Sequence, residues 1–376
     1  MIIAINTRCL SQDLPGECGD YLNEILIRLI KFHPEHTFIL FLTEPVEREF
    51  NFAANVVTVV AGPKKITPAK LMIWYNIKIP RLLKKYKADV FLSTDLCSLT
   101  TKVPQCLFVY DLSFLLSPSF VRKSLLSFYK KYTPRALKRA KQVIVSSEFF
   151  KNVIAKQYKI PQNKIQVTYP GVPGIYKPVA IIERELIKEK YAGGNEFFLY
   201  TGEITSRSNL MNLLKAFSAF KKRQKSGMQL LISSEKDAQY TEFITSLTSY
   251  KFREEVQLLT NLPSDENSRI IASSYAMVYV PYYENFGTSL LKAMNCEVPA
   301  ITSSTGMMTE ISADAALYAS PEDFKEIAVK MMLLFKDEKL RKDLIINGKK
   351  QVQKFDLDNA AKEIWDGIKK TFDNNN

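Results

Sequence analysis

Histidine is almost missing from this chain of 376 residues, which has only His33 and His36. A histidine base or histidine metal ligand anywhere else is excluded, and with it the usual Ser-His-Asp and zinc chemistry. Cysteine is sparse too. Cys9, Cys18, Cys97, Cys106 and Cys296 are odd in number, scattered and without a CxxC, which argues against a disulfide framework or a structural zinc site. No apolar run approaches the roughly 18 residues that cross a bilayer. The opening Met1-Ile2-Ile3-Ala4-Ile5-Asn6 lacks the length and basic flank of a secretory signal and reads as a first buried strand, so a cytoplasmic location is expected. A Walker A loop and a GxGxxG after a strand are both missing. What remains is ordinary for a globular protein, 46% apolar and 24% charged, at a length that favours two domains.

Acidic residues are scarce in the front half. The net charge is +13, yet Met1 to Pro178 has 26 basic and 12 acidic residues, and the rest is near balance. The densest stretch, 122–141, holds Arg122, Lys123, Lys130, Lys131, Arg135, Lys138, Arg139 and Lys141 with no acid, interleaved with aromatic and aliphatic residues. This predicts an amphipathic helix. Its basic face is either merely solvated or turned to an anionic membrane surface or a phosphate-bearing substrate. Nucleic acid is disfavoured, because no zinc-finger, RRM, KH or basic-zipper pattern accompanies the charge.

Periodicity predicts strands alternating with helices. Residues 2–6 read as a strand, followed by a loop holding Gly16 and Gly19 and a helix starting near Asp20 as N-cap. Strands are expected at 37–42, 56–60, 90–92, 107–110 and 143–145, with a long amphipathic segment at 69–87. The pattern breaks around Pro170–Pro178 and then restarts. Strands are expected at 197–201, 229–233, 256–259, 276–280 and 300–302, and helices at 210–224, 238–250, 324–334, 338–355 and 359–372. Such βα alternation implies mainly parallel sheets covered by helices, in two doubly wound domains facing a cleft. The pair Asp356 and Asp358, just before the last helix, reads as helix capping and not as a metal site.

The segment Val280-Pro281-Tyr282-Tyr283-Glu284-Asn285-Phe286-Gly287-Thr288 ends a strand and opens a helix. Backbone N–H groups at such a turn suit a diphosphate, and Glu284 could accept from sugar hydroxyls. The plain alternative is an ordinary strand-to-helix turn with a surface glutamate.

This segment resembles the E-x-F-G-x-x-x-x-E signature of the retaining, GT-B-fold glycosyltransferases of family 4 (group 1). Looser likenesses run along the chain in the family's order: Gly16–Tyr21, Val109–Phe114, Val145–Phe149, Tyr169–Val172, Tyr200–Leu210, Ala293–Ala300 and Glu310. The resemblance implies Rossmann-like domains, an acceptor-side one at 1–178 and a nucleotide-sugar-binding one at 179–355, with 356–376 packing back on the first. It implies transfer of a hexose from a nucleotide-diphosphate sugar to a glycan or lipid-linked acceptor, without a metal and with no cofactor beyond the donor. Glu284, Asp111 and Tyr110 are the expected catalytic residues. Gly202, Arg207, Ser208, Asn285, Phe286, Gly287, Thr288, Lys292 and Glu310 would bind the donor. Gly16, Gly19 and Arg8 would form an acceptor or phosphate loop. Several positions depart from the family: Tyr110 stands for its histidine, Ser208 for its lysine, Lys292 for its second glutamate, Asp20 for an arginine and Glu297 for a glycine. These departures leave a second reading open, a catalytically impaired relative that binds a glycan, a nucleotide or a partner protein. Either protein would be cytoplasmic, and the stretch 122–141, where it is not merely solvated, could make a peripheral anionic contact at the inner face of the membrane.

Overall fold

The computed structural model describes residues 1–10, 17–45, 53–64, 66–234 and 241–373. The chain divides into two compact units, Met1–Gly171 with the segment from Asp356 onward, and Val172–Phe355.

The first unit carries strands β1 (Ile2–Asn6), β2 (Thr37–Leu42), β3 (Val56–Val60), β4 (Val90–Ser93), β5 (Gln105–Val109), β6 (Gln142–Val145) and β7 (Ile165–Val167). They form one parallel sheet in the order β3-β2-β1-β4-β5-β6-β7. Its central strands are buried throughout, as expected of a parallel sheet covered on both faces. The helices between them are α1 (Glu17–Phe32), α2 (Pro68–Ile73), α3 (Ile79–Lys85), α4 (Ser113–Leu116), α5 (Lys123–Arg139) and α6 (Glu148–Tyr158). The basic stretch 122–141 is therefore mostly one helix, α5.

Two expectations are corrected by the structure. Helix α1 begins at Glu17, so Gly19 lies inside its first turn and Asp20 is not its N-cap. A Cβ on Gly19 would meet the Cys9 carbonyl oxygen at 2.5 Å, so glycine lets this turn pack tightly on the chain leaving β1. Gly16 lies outside the described residues. The long segment 69–87 is also not one regular helix: α2 and α3 are joined by a π-helical turn, Trp74–Lys78. Pro80 has no N–H to give the Asn76 carbonyl, and the Thr100 hydroxyl donates to it instead at 2.7 Å.

The second unit repeats the plan with β8 (Phe197–Thr201), β9 (Gln229–Ser234), β10 (Val256–Thr260), β11 (Ala276–Tyr279), β12 (Ala300–Ser303) and β13 (Ala316–Ala319), in the order β10-β9-β8-β11-β12-β13. Around them lie α7 (Ile181–Ala192), α8 (Leu210–Gln224), α9 (Thr241–Thr248), α10 (Ser264–Ser273), α11 (Thr288–Asn295), α12 (Met308–Ser312), α13 (Phe324–Lys336) and α14 (Glu338–Val352). The helix expected at 238–250 is α9, shorter than its pattern; residues 238–240 lie outside the described residues.

The closing helix, α15 (Leu357–Asp373), belongs to the first unit and packs on α1, β4, β5 and β6 through Ala360, Ala361, Ile364 and Ile368. Asp356 accepts from the Asn359 amide at 2.8 Å, and Asp358 pairs with Arg28 at 2.7 Å, so the Asp-x-Asp pair serves helix capping and anchoring. Gly171 lies against the start of α15, where a Cβ would come 2.5 Å from the Leu357 nitrogen.

At the α1–α15 seam the His33 ring stacks on Trp365 at 3.7 Å, with His36 beside it. Burial lowers the His33 pKa, opposed by Glu35 and assisted by His36 and Lys369. The folded protein thus takes up this proton less readily than the unfolded chain. Stability is gained as pH rises through the His33 range and lost as pH falls below about 6.5. Acidification from neutral pH is expected to lower the amide protection factors of α15, taken relative to the intrinsic exchange rate at each pH, and a His33→Phe variant should remove most of that dependence.

Candidate active site

In the second unit the strand order reverses between β8 and β11, which opens a crevice at the carboxyl ends of these strands. Residues from both strands converge on it. Tyr200, near the end of β8, and Tyr279, the last residue of β11, stand with rings 5.5 Å apart. The Tyr200 hydroxyl donates to the Glu203 carbonyl at 2.7 Å, and the Tyr279 hydroxyl donates to Glu284 Oε2. Gly202 between them has φ +147°, and a Cβ there would lie 3.3 Å from both tyrosines.

Glu284 is half-buried. Its Oε1 accepts from the amides of Asn285 at 2.6 Å and Phe286 at 3.1 Å. The sequence suggests that the amides from Asn285 to Thr288 all face a ligand. The first two of them instead hold the Glu284 carboxylate, which fixes this charge in the loop after β11. The turn then closes on Gly287, whose φ of +65° leads into α11. The Gly287 carbonyl accepts from the Leu290 and Leu291 amides at 3.1 and 3.2 Å and so starts that helix. A Cβ on Gly287 would lie 2.9 Å from Ile311 of α12, so α12, which carries half-buried Glu310, packs directly on this turn.

The loop after β8 is stitched to the loop after β11. The Tyr282 amide donates to the Arg207 carbonyl at 3.0 Å. Asn209 Nδ2 reaches the carbonyls of Val280 and Pro321, both at 2.8 Å. Arg207 is half-exposed and pairs with Glu203 at 2.9 Å. Ser208 is buried: its hydroxyl donates to the Glu203 carbonyl at 2.5 Å and accepts from the Thr205 amide at 3.1 Å, as half of a capping box. Ser208 therefore builds the turn, and its hydroxyl faces inward. Ser208→Lys is accordingly expected to destabilise this unit by about 1–2 kcal/mol from its two lost hydrogen bonds alone. It should not tighten nucleotide binding, and a melt paired with a binding isotherm would check both.

Lys292, one turn into α11, places its ammonium 4.8 Å from the centre of the Tyr176 ring. Asn295 Nδ2 holds the Tyr176 carbonyl at 2.7 Å. The segment entering the second unit is thus clamped to α11. Glu297, where the family has glycine, keeps a left-handed φ of +58° and pairs with Lys349 at 2.9 Å.

The first unit has its own reversal, between β1 and β4. There Arg8 Nη2 pairs with Asp95, and both are nearly buried. Arg8 lies in a short turn, Arg8–Leu10, committed to a carboxylate that no motif points to. Burial opposes its charge, but Asp95, aided by Tyr129, Tyr75 and Tyr110, more than offsets that and holds its pKa well above the ordinary value. The Tyr75 hydroxyl lies 3.3 Å from Asp95 Oδ2, and Asn6 Nδ2 donates to it at 3.0 Å. Tyr110 and Asp111 follow β5 in the same unit. Burial pushes the Tyr110 hydroxyl pKa well up, Cys18 and Asp95 add to it and Arg8 opposes it, so Tyr110 is a phenol at neutral pH and not a base. Asp111 Oδ1 accepts from the Ser113 amide at 2.6 Å and starts α4.

Residues 21–173 match the family described as Glycosyltransferase Family 4, and residues 182–351 match Glycosyl transferases group 1. The chain belongs to the group 1, family 4 glycosyltransferases. Among curated glycosyltransferases, it is 24% identical to the O-antigen chain mannosyltransferase B of Escherichia coli, over 69% of this chain and 68% of that one. It is 25% identical to the O-antigen chain mannosyltransferase RfbU of Salmonella typhimurium, over 82% and 83% of the two chains. The structure of Anabaena Alr3699/HepE in complex with UDP-glucose superposes with a TM-score of 0.77 at 15% identity, covering 98% of this chain and 99% of that one. That likeness shows the GT-B fold of this glycosyltransferase.

Three residues that organise these crevices are not singled out by the sequence. Tyr279 is legible only as a tyrosine at the end of an apolar strand. Asn209 sits inside the Tyr200–Leu210 motif without a role of its own. Asp95 has no local signal, because its partner lies 87 residues away.

Proposed function

We propose that this glycosyltransferase moves a hexose from a nucleotide-diphosphate sugar to a hydroxyl of a glycan or lipid-linked acceptor, with retention at the anomeric carbon. The observation that carries the proposal is the Glu284 carboxylate, held in the second unit's crevice by Tyr279 and two amides of its own loop. A carboxylate fixed in this way can accept from donor-sugar hydroxyls without reorganising. Arg207, Lys292, Gly202 and Glu310, all of which follow the carboxyl ends of strands of this sheet, are assigned to the donor site. Tyr110 and Asp111 of the first unit serve the acceptor.

In the step itself the bond from the anomeric carbon to the diphosphate oxygen breaks and the bond to the acceptor oxygen forms on the same face. The acceptor proton passes to the departing phosphate oxygen, so no protein base is needed. Cationic side chains and helix amides stabilise the leaving group, with no metal assigned. The names of the two relatives favour a mannosyl donor. The acceptor side is reached at an anionic membrane surface through basic α5.

Thermal shifts with UDP-glucose, GDP-mannose, ADP-glucose and dTDP-glucose test the donor assignment. Ligand at a hundred times its dissociation constant adds about 2.7 kcal/mol of stability. A response to one nucleotide class is the expected result. Silence across the panel favours a non-catalytic relative, a reading that the inward-facing Ser208 supports, since it supplies no charge to a diphosphate.

A further inference from the structure

Arg8, Asp95 and Tyr110 follow the carboxyl ends of β1, β4 and β5, which are neighbours in the first unit's parallel sheet, so the three stand on one edge. Tyr75 reaches the same place from the π turn and Tyr129 from α5. The Arg8 guanidinium lies beneath. Its side chain is 3% exposed, is paired with Asp95 and donates to the Tyr129 hydroxyl oxygen. Asp95 is 11% exposed, and Tyr110 and Tyr129 are half-buried, so these three carry what the cluster shows to solvent. Burial raises the pKa of both phenols and Asp95 adds to it, so both are neutral at neutral pH. Asp111, half-buried next to Tyr110, is a second carboxylate whose charge acts on Tyr129. One guanidinium against two carboxylates leaves these residues with no surplus positive charge. The Tyr129 ring stacks on Phe114 at 5.6 Å, which fixes its face.

A phosphoryl group brought to this edge meets carboxylate before guanidinium, and like charges brought together in a partly desolvated site repel. A neutral sugar ring suits the same edge. The carboxylate accepts from its hydroxyls, the phenols donate or accept, and their faces cover its C–H side. We propose that Asp95, with Tyr110 and Tyr129, sets the acceptor specificity of the first unit, selecting an uncharged terminal sugar and rejecting a phosphorylated one. The proposal rests on the reading of this unit as the acceptor side and names the class of acceptor. Arg8 acts through Asp95 as a positioning residue, since it holds the carboxylate in place without meeting the sugar. The ion pair then has a use beyond stability, which an apolar pair of similar volume would supply as well.

The test is a saturation-transfer NMR titration of the full chain with methyl α-mannoside, methyl α-glucoside and methyl α-galactoside, each beside the 6-phosphate of the same hexose. The expected result is binding of at least one neutral glycoside, with its 6-phosphate weaker by about tenfold or more. Tyr129→Phe keeps the ring and should weaken the neutral glycoside about fivefold, the value of one neutral hydrogen bond. Arg8→Met/Asp95→Leu removes the carboxylate while keeping the site filled. It should weaken the neutral glycoside about tenfold or more, with circular dichroism and a melting curve certifying the fold. A 6-phosphate that binds as tightly as the neutral glycoside, or glycoside binding that the double variant leaves unchanged, would overturn the proposal while leaving the acceptor reading standing. Binding of none of the probes would overturn both. The thermal shift with a nucleotide sugar is read separately, so neither outcome touches the donor assignment.

Discussion

Replacing Asp95 by asparagine is expected to cost the first unit about 3–5 kcal/mol, a large effect for so conservative a change. Arg8 is 3% exposed and Asp95 11%, and the guanidinium is charged at every accessible pH. Neutralising the carboxylate leaves that charge buried without its counter-ion, and a buried charge does not recover its hydration. The double variant Arg8→Met/Asp95→Leu should lose much less, because an apolar pair avoids the desolvation that the ion pair only offsets. Urea unfolding of the three proteins would measure the coupling. A loss below about 1 kcal/mol for Asp95→Asn would show that water reaches the pair.

Glu284→Gln is expected to leave the fold intact and to slow transfer by about one to two powers of ten. A carboxamide can keep the two backbone bonds through its oxygen and donate to Tyr279 through its nitrogen, so the loop retains its shape. What disappears is the charge offered to the donor hydroxyls, and a hydrogen bond to a charged group contributes about 1.5–3 kcal/mol. Glu284→Ala removes the acceptor of the Asn285 and Phe286 amides as well. It should therefore also loosen the turn into α11 and raise the donor dissociation constant. Steady-state rates with melting curves for both variants separate these effects. A loss of stability in Glu284→Gln as large as that of Asp95→Asn, or unchanged turnover in both Glu284 variants, would contradict the role assigned to this residue.

The alternation of strands and helices is legible because each unit's sheet is parallel and buried, so that short runs such as Val143–Val145 stand out between polar helices. The parts that are not legible have local causes. Strand β7 is three residues long with Gln166 at its centre, too short and too polar to show a period. Helix α7 exposes Ile181, Ile182 and Leu186, which blurs its amphipathic stripe. Helix α10 opens with Ser264, Asp265, Glu266, Asn267 and Ser268, a composition that reads as loop. At the site, residues that touch through their own loop, such as Glu284 with Asn285 and Phe286, lie within reach of motif reasoning. Residues joined only by the fold do not: Asp95 meets Arg8, and Asn209 meets Pro321, across intervals that no spacing rule covers. Ser208 shows the converse error. Its position is legible as a substituted lysine, while its actual task, closing a turn on Glu203 and Thr205, depends on backbone geometry that a motif does not carry.

The central claim is that a nucleotide-diphosphate sugar binds where the second unit's sheet reverses its order, against the loops after β8 and β11. Amide hydrogen exchange with and without the nucleotide sugar that gives the largest thermal shift tests it most directly. Protection concentrated in Gly202–Asn209 and Pro281–Leu291, and abolished together in Glu284→Ala, is the predicted result. Protection confined to the first unit, or an exchange pattern in these loops that the ligand leaves unchanged, would contradict it.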